Sequence, residues 1–336
     1  MREYSIRPKA SELQSYLVYL AVLAALFFFR HAPRSVSRIL LDFLAGVTYW
    51  VDLKHRRIAD INLRIAFPEL GRSQRRRIAR RSFQSTARNL LEIAQIPKLT
   101  RDLIGSVVEY DPDAGLQNYL AARAKGKGIL YLTGHFSAWE LLPAAHATYG
   151  YPLHFVTRPL DNPSLEKHMM QVRESPGNRV ISKKNAARQI LEVLKSAGEV
   201  GLLLDQNTTL QEGMFAELFG VPAATATSFA RLALHTDAAV LAGYLTPMRN
   251  GRYRIKFPPP LELVRTGDNE RDIEENTRMF NRVLESIIRE QPESWLWGHK
   301  RWKNQPPGSP DPYALTSEQL TAFIARCRGA TSLKGE

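Results

Sequence analysis

From about residue 105 onward, short apolar runs that favour β-strands alternate with stretches of helical spacing. Of all the features of this sequence, this alternation restricts the possible folds most strongly. Strand–helix alternation is typical of a mostly parallel sheet with helices on its faces. Arg249-Asn250-Gly251 predicts a hairpin turn, and hence an antiparallel edge. The sequence therefore predicts an α/β fold with a mostly parallel central sheet flanked by helices. The predicted strands are 129–133, 153–157, 179–181, 200–204, 238–245 and 252–257, and the main predicted helices are 163–173, 186–197 and 269–290.

A histidine follows the first of these strands at a tight turn, in the stretch GILYLTGHFSAWELL at 128–142. The residues after it, 136–147, have helical spacing and predict that a helix starts directly after the turn. His135 can face a cleft at the carboxyl edge of the sheet, and its ordinary pKa of about 6.5 suits proton transfer at neutral pH. Glu140 lies five residues further on. If a helix starts at the turn, the two side chains are about 140° out of phase, so their pairing requires His135 to precede the helix. A packed histidine at a strand end is an equally good interpretation of the spacing alone.

Polar residues also follow two other predicted strands. Arg158 comes after the strand at 153–157, and Asp205-Gln206 after the strand at 200–204. Because ligands bind beyond the carboxyl ends of parallel strands, we expect these side chains to converge on one cleft, although each alone is compatible with an ordinary surface or loop role. Asp205 is an alternative to Glu140 as the carboxylate that orients His135. The candidate substrate-binding residues are Arg158, Asn162, Gln206, Lys183 and Lys184. Four basic residues could bind phosphate, and ordinary surface charge is the alternative interpretation for each of them: Lys183, Lys184, Arg173 and Arg179.

The positive charge is concentrated at the amino terminus. The chain of 336 residues has a net charge of +13, and residues 1–100 contain 18 Lys and Arg against 7 Asp and Glu. The uncharged run at 13–29 is at the lower length limit for a spanning helix and has basic residues on both sides. We expect an anchor that spans the membrane or lies in its interface rather than a buried core helix.

Two further amino-terminal helices are predicted, an apolar one at 35–52 and an arginine-rich one at 73–96. The arginine-rich helix has either a solvated face or a face against anionic headgroups. No nucleic-acid motif accompanies it, so we expect an anionic membrane surface and no nucleic acid as partner. The predicted organisation is 1–104 for membrane association, 105–304 for the α/β core, and 305–336 for a Pro-rich linker with a short helix to Arg326 and a disordered end.

The sequence gives little support for a nucleophilic serine or cysteine, or for a metal site built from cysteines. The single cysteine, Cys327, excludes an internal disulfide and a cysteine-based zinc cluster. Ser137 does not lie in a Gly-x-Ser-x-Gly turn. The aromatic cluster Trp295, Trp297, His299 and Trp302 is interpreted as packing, with a wall of a ligand channel as the alternative.

Six blocks in order make the chain resemble the lysophospholipid acyltransferase superfamily, and within it the late (lauroyl/myristoyl) acyltransferases of lipid A biosynthesis. They are NLRIAFPEL at 62–70, GHFSAWE at 134–140, TRPLDNP at 157–163, DQN at 205–207, GMFAELFGVPAAT at 213–225 and WLWGHKRWK at 295–303. The superfamily includes acyltransferases of phosphatidylinositol mannosides, so the acceptor stays open.

The resemblance implies transfer of a fatty acyl group from an acyl carrier protein or coenzyme A thioester to a glycolipid hydroxyl, at the cytoplasmic face of the inner membrane. It also implies that the reaction uses no metal and no redox cofactor. His135 matches the family's catalytic histidine, Glu140 its acidic partner, Arg158 a site arginine and Asp205 an acidic position before Gln. An alcohol is a poor nucleophile, so a general base suits this reaction, and we expect direct transfer without an acyl-enzyme. A non-catalytic lipid-binding protein on the same scaffold is the competing hypothesis.

Overall fold

The computed structural model describes residues 12–182 and 186–332. The helices are α1 Glu12–His31, α2 Arg34–Val51, α3 Leu53–Ala66, α4 Arg72–Gln95, α5 Arg101–Val107, α6 Leu116–Ala124, α7 Leu141–Thr148, α8 Pro163–Glu174, α9 Ala186–Lys195, α10 Ser228–Thr236, α11 Asn269–Glu290 and α12 Ser317–Ser332. The strands are β1 Val108–Tyr110, β2 Ile129–Thr133, β3 His154–Thr157, β4 Arg179–Ser182, β5 Glu199–Leu203, β6 Gly213–Leu218, β7 Val221–Ala226, β8 Ala239–Ala242, β9 Tyr244–Pro247 and β10 Tyr253–Lys256.

The central sheet has five strands in the order β4-β3-β5-β2-β8, and every pairing in it is parallel. Its middle strands are apolar on both faces, as expected for strands covered by helices on each side. A second sheet, β1-β10-β9, contains the antiparallel pair β9-β10. The predicted α/β fold with a parallel central sheet and flanking helices is therefore confirmed. The predicted hairpin is present, but it belongs to the second sheet, so the expectation of an antiparallel edge on the central sheet is wrong.

The prediction of one strand at 238–245 is wrong, because this stretch forms two strands that belong to two different sheets. β8 ends at Ala242 in the central sheet, and β9 begins at Tyr244 in the second sheet. Gly243 lies between them against Phe257, and a Cβ there would come within 2.9 Å of the Phe257 ring. The chain changes sheets at the residue without a side chain, since only that residue lets the backbone approach the ring.

The carboxyl-terminal helix is longer than predicted. It runs from Ser317 to Ser332, beyond the expected end at Arg326, so most of the stretch predicted to be disordered is helical. Leu320, Phe323 and Ile324 are buried in the main hydrophobic core, and this burial stabilises the helix. Residues 333–336 lie outside the described part of the chain.

The amino-terminal helices pack onto the α/β part through α4. α1 and α2 both pack on α4, which also contacts α7 and the turn Pro292–Ser294. Asn62 on α3 donates hydrogen bonds to the backbone oxygens of Trp297 and His299, at 2.8 and 2.7 Å. The three tryptophans of the aromatic cluster are at most 1% exposed, so their interpretation as packing residues is confirmed.

Among the helices that the structure describes, α1 is the one long and apolar enough to cross a membrane, judged by length and composition. Only Leu26 and Phe29 are buried in it. Leu13 and Phe27 are 69% and 68% exposed. A large exposed apolar surface of this kind marks a contact with a membrane or a partner.

Candidate active site

Two neighbouring parallel strands place His135 beside Asp205. In the β2–β5 ladder Thr133 lies opposite Leu203, the last residue of β5. His135 and Asp205 each follow two residues later, so they leave the sheet side by side at its carboxyl edge. This is the edge at which open α/β sheets bind ligands.

Asp205 binds His135 twice. The His135 backbone N–H donates to Asp205 Oδ2 at 2.8 Å, and His135 Nδ1 lies 2.9 Å from Asp205 Oδ1. Trp295 Nε1 also donates to Asp205 Oδ2, at 2.7 Å. Because the buried carboxylate holds Nδ1, Nε2 is the ring nitrogen left for a substrate proton.

The two groups shift each other's pKa in opposite directions. Burial acts to lower the pKa of His135, but the charge of Asp205 and the hydrogen bond to it outweigh burial and raise the pKa above 6.5. Burial acts to raise the pKa of Asp205, but the charge and hydrogen bonds of His135, together with the Trp295 donor, lower it to about 2. Asp205 therefore stays ionised at neutral pH and favours the protonated form of His135.

The segment after His135 is an irregular loop, so the prediction of a helix directly after the turn is wrong. α7 begins only at Leu141. The Ser137 N–H donates to Ser294 O at 2.7 Å, and the Leu296 N–H donates to His135 O at 3.2 Å. Two backbone hydrogen bonds of this loop thus go to the segment 294–296 rather than into a helix, and the helical phase argument against the His135–Glu140 pair does not apply.

Gly134 allows this loop to approach the pair formed by His135 and Asp205, which is called the dyad from here on. A Cβ at Gly134 would lie 2.8 Å from Asp205 Cγ and 2.7 Å from the Phe136 ring. Real Cβ atoms do not come so close, so any side chain here would displace the carboxylate or the loop.

Glu140 pairs with Arg173 rather than with His135. Arg173 Nε and Nη2 donate to the two carboxylate oxygens of Glu140, at 3.0 and 2.6 Å. The interpretation of Arg173 as a free phosphate ligand therefore does not match its position. Its third nitrogen, Nη1, is buried and has no hydrogen-bond partner among the described residues. A buried guanidinium nitrogen without a partner is a donor available to a ligand.

A cavity of about 310 Å³ opens beside His135, and both polar and apolar residues line it. Gln206 Nε2 lies 3.3 Å from His135 Nε2. The polar or charged lining residues are Thr133, His135, Glu140, His146, Thr157, Arg158, Arg173 and Gln206, and the apolar or aromatic ones include Tyr131, Trp139, Leu142, Leu153, Phe155, Val156, Leu203 and Phe257.

A hydrogen-bonded network lies at the inner part of this cavity. His146 contacts the hydroxyls of Tyr110 and Tyr131 at 2.8 and 3.1 Å, and Tyr131 donates to Glu199 at 2.8 Å. Burial is the largest influence on His146 and lowers its pKa below 6.5. The imidazole is therefore a neutral member of a satisfied buried network, which fixes the inner wall.

The remaining residues that were predicted to form the site do not all lie at the cavity. Arg158 lines the cavity. Asn162 accepts from the backbone N–H groups of Ser164 and Leu165 as the N-cap of α8, so it is a structural residue outside the cavity. Arg179 is exposed on the edge strand β4. Lys183 and Lys184 lie outside the described residues.

Sequence reasoning missed the role of Trp295 and the partner of Arg173. Trp295 was in a recognisable aromatic cluster, but nothing in the sequence connects its N–H to a carboxylate 90 residues away. His299 from the same cluster accepts from the Asn207 N–H at 3.0 Å, and burial lowers its pKa to about 4, so it is neutral. Among the described residues, no three His, Cys, Asp or Glu side chains are grouped as a metal site requires.

Comparison with known proteins extends these observations. The family model described as bacterial lipid A biosynthesis acyltransferase matches residues 5–304. The lipid A biosynthesis lauroyltransferase of Escherichia coli K12 is 26% identical over 267 residues, which cover 77% of this chain and 83% of the relative. A lipid A biosynthesis acyltransferase of Haemophilus influenzae is 25% identical over 248 residues, covering 73% and 74%. The lipid A biosynthesis myristoyltransferase of E. coli K12 is 23% identical over 261 residues, covering 77% and 78%.

The match takes in the whole α/β part and the four helices before it, including both members of the His135–Asp205 dyad. The chain therefore belongs to the bacterial lipid A biosynthesis acyltransferase family and is an acyltransferase.

Proposed function

We propose that this enzyme transfers a fatty acyl group from a carrier-protein or coenzyme A thioester to a hydroxyl of a lipid A precursor, with His135 as general base. The observation that carries the proposal is the dyad beside a partly apolar cavity: His135 lines the cavity, and its Nδ1 lies 2.9 Å from the buried Asp205 carboxylate. The relatives' names, lauroyltransferase and myristoyltransferase of lipid A biosynthesis, support the acceptor and the fatty acyl group.

Each catalytic step uses His135 Nε2. It takes the proton of the acceptor hydroxyl as the hydroxyl oxygen attacks the thioester carbonyl carbon. The new C–O bond forms, the C–S bond of the tetrahedral intermediate breaks, and the imidazolium returns the proton to the departing thiolate. Asp205 stabilises the imidazolium between these steps and holds the ring in the required tautomer.

Arg173 is the proposed donor to the oxygen that becomes negative. Its Nη1 is buried and unpartnered among the described residues, and the guanidinium is held in place by both oxygens of Glu140. Donors preorganised at a developing oxyanion contribute about 10²–10³ in rate. The family's acidic residue would therefore act by positioning Arg173. Arg158 and Gln206 line the same cavity and are proposed substrate-binding residues.

The apolar walls of the cavity are the proposed site of the fatty acyl chain, and the membrane is proposed to face its mouth. Asn162 Nδ2 donates to Ser15 O at 2.7 Å and ties α1 to the loop that follows Arg158. Exposed leucines occur in the loops beyond the same sheet edge, at Leu160 and Leu210. An apolar α1 beside this edge would bring the cavity to the lipid surface of the cytoplasmic membrane.

An acyl-transfer assay tests the proposal. Labelled acyl-carrier-protein or acyl-CoA is incubated with a purified lipid A precursor and either wild type or His135→Ala. We expect transfer with wild type and a loss of about 10²–10⁴ in rate for His135→Ala. His235→Ala, which changes an exposed histidine on α10, is the matched control and should retain the rate. Near-full activity of His135→Ala would refute the mechanism. Binding of the lipid without transfer from either donor would support the non-catalytic hypothesis.

A further inference from the structure

An arginine-lined groove lies between the end of α2, α3 and the first half of α4. Its volume is about 720 Å³, and the described residues that line it include eight arginines and one carboxylate, that of Asp60. Tyr49 and Trp50 form one wall. The α4 residues in this arginine groove include Arg72, Arg75, Arg76, Arg77, Arg80 and Arg81.

The arrangement of these charges is unfavourable for the free protein. Arg72, Arg76 and Arg80 are four residues apart on one helix, and like charges at this spacing destabilise a helix. Only Arg75 and Arg81 have carboxylate partners among the described residues, at the long distances of 3.7 Å to Asp60 and 3.6 Å to Glu293. Uncompensated guanidinium groups gathered in a concave surface indicate a site for an anionic partner.

The arginine groove is connected to the catalytic loop. Arg81 and Gln84 also line a second cavity of about 220 Å³, whose other walls include Ser137 and Ser294. Between them on α4, Ser82 donates from Oγ to Trp295 O at 2.5 Å, and Trp295 binds Asp205. A partner bound in the groove therefore contacts α4, the helix that supports Trp295 and, through it, the dyad.

We propose that the arginine groove docks an acidic helix of the carrier protein that delivers the acyl thioester. This inference rests on the proposed function, which requires a thioester donor. Guanidinium groups bind carboxylates in a bidentate way, and the four-residue spacing of Arg72, Arg76 and Arg80 matches the spacing of acidic residues along one face of a helix. Arginine clusters are a recurrent means of recognising acidic segments.

The shape of the groove favours a protein helix over a bilayer. The arginines that line the groove come from two helices, Arg56 and Arg57 from α3 and the other six from α4, and Arg56 lies over the Tyr49 and Trp50 rings at 5.7 and 5.5 Å. A helix that lies in the groove can contact the arginines of α3 and of α4 at once.

The test is direct binding of fluorescently labelled acyl carrier protein to the full-length enzyme in zwitterionic lipid nanodiscs, measured by anisotropy. We compare wild type, Arg76→Gln/Arg80→Gln, and Arg271→Gln/Arg282→Gln, a control that removes the same charge from exposed positions of α11. We expect the groove variant to bind about tenfold or more weakly and the control to bind like wild type, with affinity falling as salt rises. A thermal melt of each variant confirms folding.

Steady-state kinetics supply the second readout. The groove variant should raise the KM for acyl carrier protein about tenfold, with kcat and the KM for acyl-pantetheine, which lacks the carrier, unchanged. Carrier binding equal to wild type would overturn the proposal. Retained carrier binding with lost binding to phosphatidylglycerol vesicles would assign the groove to the membrane instead. If no donor reacts at all, the proposed function fails, and the anisotropy measurement still decides the docking.

Discussion

Arg173 holds both carboxylate oxygens of Glu140, at 3.0 and 2.6 Å, while the imidazole of His135 is held by a different carboxylate. The two halves of the His-x4-Glu motif thus serve different groups at one cavity. The histidine is oriented by Asp205 from the neighbouring strand. The glutamate fixes an arginine from α8, whose Nη1 has no hydrogen-bond partner in the described part of the chain and is the proposed oxyanion donor.

Glu140→Gln tests this division of roles. A neutral amide cannot hold the guanidinium with two charge-assisted bonds, so we expect kcat to fall by about 10–10³. Glu140 contributes least among the groups that raise the pKa of His135, so the acid limb of the pH–rate profile should move little. Glu192→Gln, which removes the carboxylate of the exposed Arg188–Glu192 pair, is the matched control and should retain activity.

A double-variant cycle with Arg173→Gln completes this test. If Glu140 acts only through Arg173, the two single losses should not add in Glu140→Gln/Arg173→Gln. Additive losses would show that Glu140 has a separate role, such as contact with His135.

Asp205→Asn should change both the rate and its pH dependence. In wild type the raised pKa of His135 keeps the base protonated below that pKa, so kcat/KM rises with pH through it. Without the Asp205 charge, burial dominates and lowers the pKa of His135, so the acid limb should move to lower pH. We expect the plateau to fall by about 10²–10⁴ because the imidazolium is no longer stabilised. A pH–rate profile with an unmoved acid limb would contradict the assignment of the dyad.

The same pair gives a signed prediction for stability. Asp205 has its pKa lowered from 3.8 to about 2, so its contribution is present above pH 3.8 and is lost as pH falls toward 2. His135 has its pKa raised above 6.5, so its contribution is present below pH 6.5 and is lost as pH rises through the raised value. Thermal melts of wild type and Asp205→Asn should therefore differ most between about pH 4 and 6.5. A Tm difference that is largest at pH 8 would contradict the pairing.

Local patterns predicted the parallel sheet well, because a buried strand has a recognisable composition. The strands before His135, Arg158 and Asp205 lie within a residue of their expected positions. Their polar ends could be assigned to one edge, since parallel strands share their direction. The sequence could not choose between Glu140 and Asp205 as the partner of His135, because the choice depends on the β2–β5 register and on contacts of the loop with residues 294–296.

The features that were missed depend on tertiary contacts. The hairpin β6–β7 turns through Phe219, which has a positive φ of 56°, a conformation rarely taken by a bulky residue. Phe219 is buried, and its N–H donates to Glu285 at 2.6 Å, so packing and a distant carboxylate stabilise the turn. No local turn signal of the Asn-Gly kind exists there, and the strands were not predicted.

The apolar walls of the cavity predict how acyl length can be changed. Gly201 on β5 lines the cavity, and a Cβ there would be in ordinary contact with Leu153 and Phe155, at 3.6 and 3.8 Å. Gly201→Ala should therefore fold normally, whereas Gly201→Val should also fill part of the cavity. Donor competition with a series of acyl chain lengths should show a shift of Gly201→Val toward shorter chains, with Gly201→Ala intermediate. An unchanged preference would place the acyl chain elsewhere.

Trp295→Phe isolates the hydrogen bond behind the dyad. The indole N–H donates to Asp205 Oδ2 at 2.7 Å and helps to lower the pKa of Asp205. Without this donor the carboxylate interacts more strongly with the imidazolium, so the pKa of His135 should rise and the acid limb should move to higher pH, opposite to Asp205→Asn. The smaller ring leaves a cavity at a fully buried position, and we expect a stability loss of about 1–3 kcal/mol. Trp297→Phe, which loses an N–H bond to Pro292 O rather than to Asp205, is the matched control. It should lower Tm similarly and leave the pH–rate profile in place, and an equal shift of the acid limb in both variants would refute a specific role for Trp295.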